Sequence, residues 1–450
     1  MECALSVQDV TRALEGRPAP FALYGNWAGG GAVVGSDPLV VADANADPFA
    51  TLDALPAIDA GAVAGCGVVG GGWFGWLGYR LGRRIERLPE GPARPVALPE
   101  FHLGYYDHVL RLDPNGRWWF EALVGQGADD RIARRLDDLR SRLIRPVSPE
   151  AYEPPAPLRL APGGREHHLD AVGRCRERIE VGEIYQANIC LRLESHYRGS
   201  VTELFARALD HVHPTYGAAF ATSWGGIASL SPELFLRREG REVTTAPIKG
   251  TVRRPSDERR ARAALAALRS STKDAAEHVM IVDLMRNDLG RVSEYGSVVA
   301  PRTPDAEAHP GLWHLVTQVR GRLRSGVGDG ELLRATFPPG SVTGAPKVQA
   351  MRVISELEST GREVYTGAIG FASPVAGLEL NVAIRTFELR DGVLWMGAGG
   401  GIVADSDPAR EFDEALAKAR PLAAAIGSSV APVTDEQALA PSRPLAGHPG

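Results

Sequence analysis

Cysteine is scarce in this chain of 450 residues: there are four, Cys3, Cys66, Cys175 and Cys190, and no two stand at CxxC spacing. That excludes a disulfide framework and suits a reducing cytosol, so a cytoplasmic protein is expected. A strong excess of one charge is missing too. Fifty basic residues against 55 acidic ones leave a formal net charge of −5. Nothing in that balance calls for nucleic acid as a partner. The opening MECALSVQDV has Glu2 where a signal peptide carries basic residues, with Asp9 soon after, so no secretory leader is read there. One uncharged stretch, Ala60 to Tyr79, is long enough to span a bilayer, but eight of its residues are glycine. Glycine adds little transfer free energy, so a buried strand and turn are expected there and no membrane association. The same stretch holds a formal GxGxxG from Gly65 to Gly70. Further glycines follow where a dinucleotide loop needs a helix, so that reading is set aside.

What is present is ordinary globular material: 44% hydrophobic and 23% charged residues. The length allows two to three domains or one large composite fold. Residues 1–145 read as an α/β region, with strand-like runs at Ala32–Val34, Leu39–Val41 and around Trp118 and Trp119. An amphipathic helix is expected from Asp129 to Leu143. Six prolines crowd residues 146–164, which read as a linker without regular structure. Residues 165–426 carry the chemistry. Helices are expected over about 168–182, 257–269, 274–289, 345–357 and 408–425, and strands over 186–191, 378–389 and 393–396. Helices and strands mix without a βαβ repeat. The fold class expected is therefore α+β, with large mixed β-sheets enclosed by helices. The tail 427–450, rich in Pro, Ala and Ser, reads as disordered.

Several residues could do chemistry. Asp274 and Glu277 stand three apart on one helix face, and Glu411 and Glu414 repeat that spacing. The two pairs could converge on Mg²⁺, a hard cation that prefers oxygen, or could simply favour the helix macrodipole. Lys249 lies among small and apolar residues in TAPIKGT. It reads as a desolvated nucleophile or as a turn lysine. The loop from Gly340 to Lys347 enters a helix in the manner of an anion site, and the run Gly397–Gly401 allows close approach of backbone to a ligand. Arg385 is a charge inside an apolar strand; it needs a carboxylate partner or faces solvent. His211 with His213, and His167 with His168, lack a third metal ligand nearby. His278 is expected to face away from Glu277, and His314 to pack in the core or border a site.

Eight stretches together resemble the chorismate-utilising enzymes. They are GEIYQANI (Gly182–Ile189), SPELFL (Ser231–Leu236), PIKGTVRR (Pro247–Arg254), KDAAEHVMIVDLMRNDLGRV (Lys273–Val292), FPPGSVTGAPKVQAM (Phe337–Met351), VYTGAIG (Val364–Gly370), LNVAIRTF (Leu380–Phe387) and GAGGGIVADSDPAREFDEALAKA (Gly397–Ala419). They follow the family's order across most of residues 180–420. GGWFGWLGY matches a glycine-aromatic segment of the family more loosely. Within the family, members that form anthranilate carry alanine where this chain has Lys249, and members that aminate C4 carry lysine.

The resemblance implies amination of chorismate at C4 for 4-aminobenzoate, feeding folate or a secondary metabolite. Mg²⁺ would be held mainly by Glu277 and Glu411, with Asp274 and Glu414 as nearby or water-mediated ligands. Lys249 would form a covalent adduct at C2, and Glu233 would be the general acid. Tyr365, Arg385, the Gly399 backbone and Lys418 would grip the carboxylates; Gly250, Thr251 and Thr343 would line the pocket. Gln186 stands where salicylate- and isochorismate-forming relatives carry a lysine that activates water, which argues against water as nucleophile. Nothing in the chain resembles a glutaminase, so ammonia would come from a separate glutamine amidotransferase subunit. The chain departs from the pattern at Asp274, where glutamate is usual, and at Pro339. Its N-terminal segment Phe21–Asn26 lacks the serine of a tryptophan pocket. The rival reading is C2 amination with loss of pyruvate.

Overall fold

The computed structural model describes residues 5–433 except 57, 59–66, 126, 145–151, 162, 256 and 310–311. Two large sheets pack face to face. The first has eleven strands; near one edge lies Gln186–His196, which pairs antiparallel with Val393–Ile402 over ten residue pairs. From there it runs through Thr386–Arg390, Gly225–Ser231, Tyr216–Thr222 and Phe21–Gly25 to Gly31–Gly35, His108–Leu112 and Trp118–Ala122. The second has eight strands, in the order Val319–Arg322, Glu242–Ala246, Leu234–Glu239, Gly377–Val382, Ala368–Ser373, Gly72–Leu77, Phe101–Tyr106 and Val40–Val41. Every named strand pair is antiparallel, and helices enclose the pair of sheets, which is an α+β fold.

Alternation along the strands builds three layers of core. Phe21 and Leu23 point between the sheets, whereas Ala22 points outward under helices. Phe74 and Trp76 join the same inner layer, while Trp73 and Leu77 face the far side of their sheet. The inner layer is aromatic: the Phe21 and Phe74 rings stack at 4.4 Å. Each such ring contributes about 1.5–3 kcal/mol by burial. Helices Val201–Leu209 and Pro408–Ala425 cover the first sheet; Thr272–Gly290 and Asp329–Thr336 cover the second. The glycine-rich stretch thus ends in a fully buried strand, Gly72–Leu77. Among the described residues no helix is long and apolar enough to cross a membrane.

Strands from both sides of residues 146–164 share both sheets. The proline-rich segment also holds a two-residue strand, Arg159–Leu160, on the edge of Gln186–His196, where a linker without regular structure was expected. Neither residue is proline, so both backbones are free to pair. The tail adds a bridge from Val430 to Leu158, and residues 434–450 lie outside the described region. The helix expected from residue 345 starts at Lys347, because Gly344–Ala345 pairs with Ala187 and Gln186 instead.

Candidate active site

A third, three-stranded sheet carries the lysine. Ile248–Arg253 pairs with Leu312–Val316, which pairs with Asp305–His309. The register slips between Ile248 and Thr251, and Gly250 sits there at φ +83°, where a Cβ would be strained. That irregularity presents Lys249. Its Nζ forms an ion pair with Glu277 on helix Thr272–Gly290. The apolar surroundings expected for Lys249 are therefore replaced by a buried acid, and the side chain is 25% exposed.

The glycine run of strand Val393–Ile402 forms the facing wall. A Cβ built on Gly401 would stand 2.0 Å from Gln186 Nε2 and 3.3 Å from Lys249 Nζ. One on Gly400 would stand 3.3 Å from Glu411 Oε2, 3.4 Å from Lys418 Nζ and 3.9 Å from Glu414 Oε1. Two adjacent glycines of one strand thus lie against the two groups of charged residues, one group on each face. Lys418 Nζ donates to the Gly399 carbonyl at 2.9 Å and pairs with Glu414 at 2.9 Å. Ser406 Oγ donates to Glu411 Oε1 at 2.6 Å.

Glu233 is buried, and burial pushes its carboxyl up to about 7. The Ser341 hydroxyl and the Ile248 N–H donate to it, and the charges of Lys249 and Arg385 oppose the rise. Burial lowers Arg385, and Glu233 counters that. Arg385 is not within a strand as expected. It sits in the break between Gly377–Val382 and Thr386–Arg390 at φ +53°, with its carbonyl accepting from the Leu230 N–H at 2.9 Å. That conformation ends the strand and lodges the guanidinium near Glu233.

Tyr365 lies flat against Gly397, where a Cβ would meet its ring at 2.2 Å, and Cys190 Sγ is 3.6 Å from its hydroxyl. Thr343 is fully buried, with its hydroxyl turned to the carbonyls of Pro339 and Gly340. Lys347 is tied away to Asp288 at 2.5 Å. His314 is buried and pairs in register with Thr251. His278 does not simply turn from the site: its Nε2 meets Thr317 Oγ1 at 2.5 Å, and its pKa is lowered by burial and then by the charge of Lys249. The side chains of Asp274 and Thr251 lie outside the described residues.

The oxygen donors suit a hard cation. Among the described residues no three His, Cys, Asp or Glu gather closely enough to hold an ion alone. Mg²⁺ needs only one or two carboxylates when water and substrate oxygens complete its shell, and Glu277 and Glu411 fit that demand. Sequence reasoning missed Ser406, Asn188, Glu358 and Arg362. Ser406 carried a signal in SDPAR, a polar run at a helix start, and Asn188 stands inside GEIYQANI; Glu358 and Arg362 gave none.

The stretch from residue 26 to residue 424 matches the family described as chorismate binding enzyme. The chain is 37% identical over 348 residues to aminodeoxychorismate synthase component 1 of Salmonella typhimurium, covering 77% of this chain and 75% of that one. It is 36% identical over 410 residues to anthranilate synthase component 1 of Streptomyces coelicolor, covering 87% and 80%. Its fold matches the crystal structure of anthranilate synthase component I from Streptococcus pneumoniae with a TM-score of 0.72 at 27% identity, over 90% of this chain and 91% of that one. The chain belongs to the chorismate-binding enzyme family.

Proposed function

We propose that the chain aminates chorismate at C4, giving 4-amino-4-deoxychorismate through a covalent adduct on Lys249. The observation that carries this reading is Lys249, presented by the Gly250 bulge beside Glu277, Gln186 and Gly401. The Lys249 ammonium has to part from Glu277 and pass one proton to solvent before its nitrogen carries a lone pair. Lys249 then bonds to C2, the ring double bonds shift, and the C4–O bond breaks. Glu233 supplies the proton with which the hydroxyl leaves as water, and a carboxyl held near 7 is suited to that task. Ammonia bonds to C4, the C2–N bond breaks, and Lys249 returns as the free amine. Glu233, now ionised, takes the proton that the new amine loses. Two displacements replace one hard substitution.

Mg²⁺ held by Glu277 and Glu411, with Asp274 and Glu414 close by, would draw electrons from the diene through the ring carboxylate. Tyr365, Arg385, the Gly399 backbone and Lys418 grip the two carboxylates, and Gly250, Thr251 and Thr343 line the pocket, with His314 at its border. Ammonia comes from a separate glutamine amidotransferase subunit, a reading supported by the words "component 1" in the relatives' names.

The second reading, C2 amination with loss of pyruvate, draws support from the longer match to the Streptomyces coelicolor protein. Lys249 weighs against it, because an amine on C2 blocks ammonia at that carbon. The deciding test is a product assay with chorismate, Mg²⁺ and an ammonium salt. Aminodeoxychorismate, turned into 4-aminobenzoate only when a lyase is added, is expected; anthranilate would overturn the reading. Lys249→Ala should abolish the adduct seen by mass spectrometry, and full parental turnover by that variant would remove Lys249 from the chemistry.

A further inference from the structure

Behind the pocket lies a buried ion pair that touches no proposed reacting group. Arg362 and Glu358 are 3% and 4% exposed in their side chains. Every N–H of the guanidinium is used. Nε donates to Glu358 Oε2 at 3.0 Å and Nη2 to Glu358 Oε1 at 2.6 Å. Nη2 also donates to the Asn188 carbonyl at 2.5 Å, and Nη1 to the Val342 carbonyl at 2.9 Å and to Thr366 Oγ1 at 3.3 Å. Glu358 accepts the Cys190 N–H at 2.8 Å, and the Tyr79 ring covers the guanidinium at 4.7 Å. Five donors in a rigid plane match acceptors that come from separate pieces of chain.

Those pieces adjoin two members of the proposed carboxylate grip, Tyr365 and Gly399, and the pocket residue Thr343. Asn188 and Cys190 belong to the strand paired with Gly399 and Gly401. Val342 precedes Thr343, whose carbonyl accepts the Asn188 N–H at 2.8 Å. Thr366 follows Tyr365 and is held at φ +64°, a left-handed conformation that a β-branched residue adopts only when its surroundings impose it. Among the described residues, neither the segment carrying Lys249 nor the one carrying Glu233 receives a bond from Arg362.

We infer that Arg362, oriented by Glu358, is a positioning residue that sets the substrate-binding wall at Thr343, Tyr365 and Gly399 without entering the reaction. The inference rests on the proposed reading of Tyr365 and Gly399 as part of the carboxylate grip and of Thr343 as pocket lining. Arg362 acts on binding, so its loss raises KM for chorismate and spares kcat.

The test measures chorismate consumption by the full chain with Mg²⁺ and ammonium, together with the thermal midpoint, for Arg362→Lys, Glu358→Gln and Tyr365→Phe. Lysine keeps the charge but has three donors and no planar fork. We expect KM to rise about 10-fold or more in Arg362→Lys, with kcat within about 3-fold of the parent. Glu358→Gln, which keeps one acceptor for the Cys190 N–H, should show the same split to a lesser degree. If either variant lowers kcat at unchanged KM, the pair only maintains the folded fraction and the inference is overturned. If Arg362→Lys does not fold, Glu358→Gln alone decides by the same criterion. A KM rise in Tyr365→Phe with none in the pair's variants overturns the inference and leaves the pocket reading standing. No rise in any of the three overturns both. A KM rise in the pair's variants alone upholds the inference and removes Tyr365 from the grip.

Discussion

Glu233 is a carboxyl held out of water, with its pKa pushed up to about 7. As a general acid it must carry its proton. The rate of adduct formation, measured without ammonia so that ammonia's own titration does not enter, should carry a limb that falls as pH rises through about 7, set against the gain from freeing the Lys249 amine. Glu233→Gln should slow that step by about 10²–10⁴-fold and erase the limb; a variant profile parallel to the parental one would sink the assignment. Stability follows the same proton. Between its ordinary value near 4.5 and about 7, the folded chain keeps a proton that the unfolded chain releases. Stability therefore falls as pH rises across that window, by up to about 3 kcal/mol. The glutamine variant has no such loss and should gain on the parent in thermal midpoint between pH 5 and pH 8. Parallel midpoints would contradict it. Lys249 was legible at this scale, since the chain has only four lysines and one stands in PIKGT. The raised pKa of Glu233 was not, because its cause is burial by segments distant in sequence.

Elements explain why glycine recurs beside the pocket. Strand Val393–Ile402 presents Gly400 and Gly401 to the charged groups, and side chains there would press on Gln186, Lys249 and Glu411. Gly401→Ala should leave the thermal midpoint within a few degrees and remove chorismate binding in calorimetry, since its Cβ would overlap Gln186 Nε2. Retained binding would show that the run serves only the backbone. The helix Pro408–Ala425 was readable to its ends, from Asp407 and Pro408 at the start and apolar spacing onward. The strand through Arg385 was misread. Val382, Ala383 and Ile384 keep a strand-like composition, but the Leu230 N–H captures the Arg385 carbonyl and the Ile384 N–H turns back to Val382. Ser406 is also a matter of elements: it stands just before the helix and donates to Glu411. Ser406→Ala should raise the Mg²⁺ needed for half-maximal turnover by about 10–100-fold. An unchanged Mg²⁺ requirement would take Glu411 out of the metal shell.

Across the whole molecule, both sheets run through the N-terminal third of the chain. Residues 152–433 alone would lack Phe21, Phe74, Trp76 and Tyr106 from the inner aromatic layer and would leave strand edges open. That fragment should show no cooperative thermal transition, and a sharp one would mean that the catalytic region holds a core of its own. The same interleaving decides how Trp27 is used. It follows the N-terminal strand and is buried against Tyr216 and Phe371, with its indole N–H donating to the Gly217 carbonyl at 2.8 Å.

The sequence alone determined the family, the order of the motifs and the identity of the charged residues, because local pattern and residue chemistry are properties of the chain itself. It also determined most element positions, since apolar periodicity and caps act over a few residues. Only the tertiary structure decided that Lys249 meets Glu277, that Gly400 and Gly401 lie against the two groups of charged residues, and that Arg362 ties three segments together. Apart from Arg362 with Thr366, four residues on, those contacts span from about ten to hundreds of residues. They follow from how two sheets and their helices pack, which no short window of sequence records.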